Sequence, residues 1–242
     1  MMSRFLVLLT ALLLFGINFA AKPSNADLNA EDRQEILRVI ENYIKANPEI
    51  LRDALVALAS REEAERQRAG IQLVRDDKGD PVMGNPDGQV TIYEFSDYNC
   101  GYCKRAFGTI QSLININRDV RLVVKEFPIL SQSSMTAAKA GIAAQKQGKF
   151  EAFHVAMMTY RGPVSETSIA DAAHSAGIDL NQFARDMDSA ETRQIIDRTR
   201  AAATALGING TPGFVIGDTI IPGVIEAKQL QAVIDDVRAK QS

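Results

Sequence analysis

Val90-Thr91-Ile92-Tyr93-Glu94-Phe95-Ser96-Asp97-Tyr98-Asn99-Cys100-Gly101-Tyr102-Cys103-Lys104-Arg105 decides the fold. Its first six residues are β-branched or aromatic apart from Glu94, the composition of a strand. From Cys103 onward Ala106, Phe107, Ile110, Leu113 and Ile114 recur three and four apart, which is one face of a helix. The change of period puts Cys100 at a strand-to-helix junction. A second strand reads from Val120 to Phe127, and strand-helix-strand order predicts a parallel βαβ unit.

Outward from this unit the chain is α/β with helical additions on both sides. Residues from about 133 to 206 read as almost wholly helical, with Ser165, Asp179 and Ser189 as N-cap candidates and Gly207 as a helix end. Phe214-Val215-Ile216, a turn at Gly217-Asp218 and Thr219-Ile220-Ile221 predict a short hairpin. A last amphipathic helix carries Leu230, Val233, Ile234 and Val237. Upstream, Asp76 to Pro81 and Gly84 to Gly88 are turn-rich and mark the boundary before the main domain. Two helical patterns precede them. The first has Asn29 as N-cap and an apolar face of Ile36, Leu37, Ile40, Tyr43 and Ile44. The second opens with Asn47 as N-cap and Pro48 at the first helical position, and repeats Leu51, Leu55 and Leu58. These stripes need a partner, either the main domain or another copy of the chain.

Residues 1–26 read as a secretory signal: Arg4, an apolar run from Phe5 to Ile17, and Ser24-Asn25-Ala26 as a cleavage site near Ala26. That run of 13 residues is short for a membrane span, which needs about 20. The expected organisation is a signal at 1–26, a helical segment at 27–75 and the main domain at 76–242. The net charge of −3 becomes −5 once Arg4 and Lys22 leave with the signal. Such mild acidity gives no electrostatic footprint for nucleic acid.

Cysteine usage is the informative number. An exported chain of this size has two, Cys100 and Cys103, so no disulfide framework staples the fold. A bridge between them closes a tiny loop and adds little as a staple. At a helix N-terminus, unpaired backbone N–H groups and the helix dipole stabilise a thiolate at Cys100. A stabilised thiolate is both nucleophile and leaving group, as disulfide exchange requires. Cys103, one turn on, is placed to resolve a mixed disulfide on Cys100. Structural zinc wants two more ligands, and the histidines, His154 and His174, stand singly in the helical stretch. No cofactor beyond the Cys100–Cys103 dithiol is expected, and no metal. Glu94, a carboxylate on an otherwise apolar strand, is a candidate proton relay to Cys103, with Lys125 as an ion-pair candidate for it. The competing view is a solvent-facing edge position.

The strand, Asp97-Tyr98-Asn99-Cys100-Gly101-Tyr102-Cys103-Lys104-Arg105, the helical stretch, Gly210-Thr211-Pro212, the hairpin and the terminal helix resemble the bacterial periplasmic Dsb-type thioredoxin-fold proteins over residues from about 85 to 240. The N-terminal helices with Asn47-Pro48-Glu49 resemble the leader of the ScsC-like branch. The resemblance implies a thioredoxin fold with an inserted helical subdomain and an N-terminal helical extension that oligomerises the chain. It implies a cis Pro212 against Cys100 and Cys103, with the Thr211 backbone pairing with a cysteine-containing peptide. The resemblance also implies that Tyr102 holds the dipeptide position that helps set redox potential in this family, with its ring or hydroxyl meeting substrate. Without the cysteine motif, Thr211-Pro212-Gly213 is a simple turn.

The implied partners are cysteine-containing exported proteins and a membrane redox partner of the DsbD or DsbB type, in the periplasm. Gly101-Tyr102 and the threonine before Pro212 resemble the isomerase and reductase branch, and the long helical insertion resembles the monomeric oxidase. The reading taken is a disulfide isomerase or reductase, with a DsbA-like dithiol oxidase as the alternative. A rival from another class is a periplasmic Cu(I) carrier using two soft thiolates, or an envelope protein that kept the fold.

Overall fold

A computed structural model describes residues 29–241 of the chain; the signal read at residues 1–26 lies outside the described residues. The contacts divide the chain into two compact units meeting at Val56 and Ala57. The first contains α1 (Ala30–Ala46) and the opening of α2 (Glu49–Arg75). Asn29 caps α1 by accepting from the Asp32 N–H at 2.8 Å. Asn47 behaves differently from the sequence expectation. Its side chain donates to the Tyr43 carbonyl at 2.8 Å, so it closes α1 and leaves the α2 start uncapped by that amide. Ile36, Leu37, Val39, Ile40, Tyr43, Leu51 and Leu55 are all exposed, so neither apolar stripe is covered among the described residues.

The second unit is built on a five-stranded sheet in the order β1-β3-β2-β4-β5. Its strands are β1 (Val82–Gly84), β2 (Val90–Ser96), β3 (Val120–Glu126), β4 (Gly213–Ile216) and β5 (Thr219–Pro222). β2 and β3 run parallel across α3 (Gly101–Ile116), and the other pairings are antiparallel. β1 lies between the two stretches read as turns and shares Gly84 with the second; three residues carry no period of their own, and only pairing with β3 makes them a strand.

Between β3 and β4 stand α4 (Gln132–Lys146), α5 (Phe150–Thr159), α6 (Glu166–Ser175), α7 (Leu180–Met187) and α8 (Ala190–Ala205), and α9 (Ala227–Gln241) ends the described chain. Ser165, Asp179 and Ser189 each cap their helix through a side-chain oxygen. Gly207 follows α8 with φ +66°, a left-handed conformation that favours glycine.

The two sheet faces bury different cores. Val90, Ile92, Leu122 and Val124 join Phe107, Ile110, Leu113 and Ile114 of α3 and Leu230 and Ile234 of α9. The opposite face carries Tyr93, Phe95 and Val123 against Val74, Ala202 and Ala203. Each large aliphatic side chain buried in this way contributes roughly 1.5–3 kcal/mol. Lys125 belongs to the second face, fully buried, with its Nζ 2.6 Å from Asp80 Oδ2. Arg198 reaches the same oxygen at 2.8 Å. Burial pushes Asp80 up and Lys125 down, and the pairing offsets both. Lys125 is therefore not the partner of Glu94: alternate residues of a strand face opposite ways, and register sets Lys125 opposite Phe95.

Candidate functional site

Cys100 is the N-cap residue of α3, with φ −78° and ψ 111°. Its sulfur accepts the Cys103 backbone N–H at 3.3 Å and lies 3.1 Å from the Thr211 carbonyl oxygen. Both cysteines are free thiols and buried. A hydrogen bond from the Cys103 thiol, then contributions from the Thr211 side chain and the Cys103 and Tyr102 backbone, outweigh burial and bring Cys100 down to about 5. Cys103 moves the other way. Its bond to the Cys100 sulfur, burial and the nearby Glu94 charge raise it far above the usual thiol range. The pair can thus hold one thiolate at the start of α3 and one protonated thiol behind it.

Thr211-Pro212 is a cis peptide. The Pro212 carbonyl accepts the Gly223 N–H at 2.9 Å, which ties this loop to the end of β5. A cavity of about 330 Å³ behind the loop is lined by Leu206, Ile208, Thr211, Pro212, Ile220 and Pro222.

Glu94 projects from β2 into the first core and is 3% exposed, not a solvent-facing edge residue. Burial pushes it up to about 7, the Ser96 hydroxyl lowers it in part, and the Cys100 charge raises it further. At that value a carboxyl takes and returns a proton near neutral pH. Tyr102 is 59% exposed, with the Arg105 guanidinium 4.1 Å from its ring centroid. Lys104 Nζ donates to the Tyr160 carbonyl at 2.8 Å.

Sequence reasoning missed four polar residues around this site. The Asp97 carboxylate accepts from the N–H groups of Asn99, Ile129 and Leu130, joining the loop before Cys100 to the loop after β3. Asn99 donates to Ser131, Ser133 and Ser134. Glu126 is buried at the end of β3, and Tyr98 meets buried His154 at 2.9 Å. His154, a lone histidine of the helical stretch by sequence, is driven down to about 3 by burial inside a cage of Tyr98, Phe107 and Phe150. The available signal was a second lone acid, Glu126, at the end of a strand whose other polar residues, Arg121 and Lys125, are basic. Among the described residues no group of three or more His, Cys, Asp or Glu could hold a metal, and no helix is long and apolar enough to cross a membrane.

Two family models match the chain: the DSBA-like thioredoxin domain over residues 91–235, and the copper resistance protein ScsC N-terminal domain over residues 32–65. A thioredoxin-like oxidoreductase from Silicibacter pomeroyi DSS-3 is 45% identical, with a TM-score of 0.66, covering 70% of this chain and 97% of that one. A linker-deletion mutant of Proteus mirabilis ScsC is 29% identical, with a TM-score of 0.66, covering 90% of this chain and all of that one. Among curated proteins, the Na(+)/H(+) antiporter NhaA of Herminiimonas arsenicoxydans is 27% identical over 233 residues, covering 94% of this chain. The chain spans only 36% of that antiporter's length.

Proposed function

The chain belongs to the DSBA-like thioredoxin-domain family, and from that premise we propose that it is a thiol-disulfide oxidoreductase of the DsbA/ScsC type, working as a disulfide isomerase or reductase on exported proteins. The observation that carries the reading is the Cys100 sulfur at the start of α3, facing the Cys103 N–H on one side and the cis Thr211-Pro212 loop on the other. The Cys100 thiolate attacks a substrate disulfide, forming a mixed disulfide and releasing the substrate's other sulfur as a thiolate. A substrate thiol can then displace Cys100 and complete an isomerisation. Alternatively Cys103 gives its proton to Glu94 and attacks Cys100; the Cys100–Cys103 bond forms and the substrate leaves reduced. Thr211 offers its backbone to the incoming peptide, and Tyr102 offers an exposed ring beside the sulfur.

Gly101-Tyr102, the threonine before Pro212 and the ScsC-type N-terminal segment favour exchange over oxidation. The unpartnered stripes of α1 and α2 favour an oligomer holding several sites around one misfolded chain. The apolar leader at Phe5–Ile17 supports export to the periplasm, where a membrane partner of the DsbD or DsbB type resets the redox state. One observation favours the oxidase instead: a thiolate at about 5 is a good leaving group and stabilises the reduced form.

Refolding of scrambled ribonuclease tests the reading. Activity is expected in the unsubstituted protein, absent in Cys100→Ala, and replaced by trapped mixed disulfides in Cys103→Ala. Oxidation of reduced ribonuclease without reshuffling would favour the oxidase. Stoichiometric Cu(I) binding with no exchange in either assay would defeat both.

A further inference from the structure

Glu126 has no part in the chemistry above, yet it lies on the same buried face. β2 and β3 pair with Ser96 opposite Glu126 and Glu94 opposite Val124. Glu94, Ser96 and Glu126 therefore project with Ile92, Leu122 and Val124 into the core that also holds Cys100 and Cys103. Diagonal neighbours on one sheet face are within reach of long side chains. Two carboxyl oxygens on this face are buried without a hydrogen-bond partner: Glu94 Oε1 and Glu126 Oε1.

The titratable groups acting on the two acids are Cys100 from α3, and Tyr98, Asp97 and Asp80 from the flanking loops; Cys103 and His154 pack nearby from α3 and α5. None of these supplies a positive charge. Lys125 is turned to the other face, and burial keeps His154 neutral. Two carboxylates sharing one buried face without a cation cannot both ionise, because each bare charge is costly and the second is opposed by the first.

α4 shows which acid is anchored. A Cβ at Gly141 would overlap Glu126 Oε1 and lie 2.9 Å from Tyr98 Oη, so carboxyl and phenol converge on that glycine. Tyr98 Oη in turn lies 2.9 Å from His154 Nδ1. With His154 as its Nδ1–H tautomer, the phenol oxygen accepts from the ring, which leaves the phenol O–H free to turn to Glu126 and a Glu126 O–H free to turn to Glu94.

We propose that Glu126 is a positioning residue that stays protonated and donates to the Glu94 carboxylate, setting the pH at which Glu94 takes the proton from Cys103. The inference rests on Glu94 being that proton acceptor. In the step itself the Cys103 proton passes to Glu94, the Cys100–Cys103 bond forms and the substrate sulfur leaves as a thiolate; Glu126 keeps its own proton. Burial, which holds Glu126 well above the carboxylate range, agrees.

The test follows release of glutathione from a Cys100–glutathione mixed disulfide as a function of pH. Glu126→Gln keeps a neutral donor and is expected to leave the midpoint within a few tenths of a unit. Glu126→Leu removes the donor and is expected to raise it by about one unit, roughly tenfold in rate below the midpoint. A lowered midpoint in Glu126→Gln would mean that Glu126 was ionised, and an unmoved midpoint in Glu126→Leu would remove its role; either overturns the proposal. Should the leucine variant fail to fold, infrared spectroscopy of the full chain decides. Above the Glu94 midpoint one protonated-carboxyl band is expected, absent in Glu126→Gln, and its absence in the unsubstituted protein overturns the idea. Glu94→Gln serves as the separate control. If it leaves the release profile unchanged, the Glu94 reading fails, while the infrared band still reports on Glu126.

Discussion

Replacing Glu94 with Gln is expected to stabilise the dithiol protein above neutral pH and to change little in acid. The carboxyl ionises at about 4.5 in the unfolded chain and at about 7 in the folded one. A folded value raised in this way means that the folded state resists losing the proton. The penalty is absent below 4.5, grows between 4.5 and 7, and is complete above 7. The rise from 4.5 to about 7, at about 1.4 kcal/mol per pH unit, corresponds to roughly 3 kcal/mol for this fully buried group. Any cost of burying an amide applies equally at every pH and cancels when two pH values are compared. Chemical denaturation of both proteins under reducing conditions, at about pH 4 and about pH 8, reads the difference directly. The variant's relative stability should rise by about 3 kcal/mol from the lower pH to the higher. A constant difference between the proteins at both pH values would refute the buried-acid argument.

Lys125→Met leaves Asp80 buried with Arg198 alone and is expected to cost about 3 kcal/mol in denaturant unfolding, of which Asp80→Asn in the same chain recovers at least half. Cys103→Ala removes the largest contribution holding Cys100 down, so its thiolate titration should move upward from about 5. Deleting residues 30–56 removes the exposed apolar stripes of α1 and early α2, and light scattering should then report the mass of a single chain. An unchanged mass would end the oligomer reading.

The motif stretch was legible because its periods are strong. Val90 to Phe95 has strand composition, the α3 face repeats at helical spacing, and Cys100 falls where the two meet. The caps at Ser165, Asp179 and Ser189 were equally readable, since a short polar side chain before a periodic run has one obvious use. What the sequence hid depends on contacts between distant segments. β1 exists only through its pairing with β3. Lys125 looks like a partner for any strand acid until the register turns it towards Asp80, 45 residues upstream. Asn47 could cap either neighbouring helix, and the choice rests on geometry at Tyr43. The convergence of Glu126, Tyr98 and His154 joins β3, a loop and α5 across the first core, and no local pattern announces it.

The central claim is tested most directly by the ultraviolet thiolate titration of the unsubstituted dithiol protein. One thiol should ionise near pH 5 while the other stays protonated far into the alkaline range. Two thiols ionising together near 9, as free cysteines do, would contradict it.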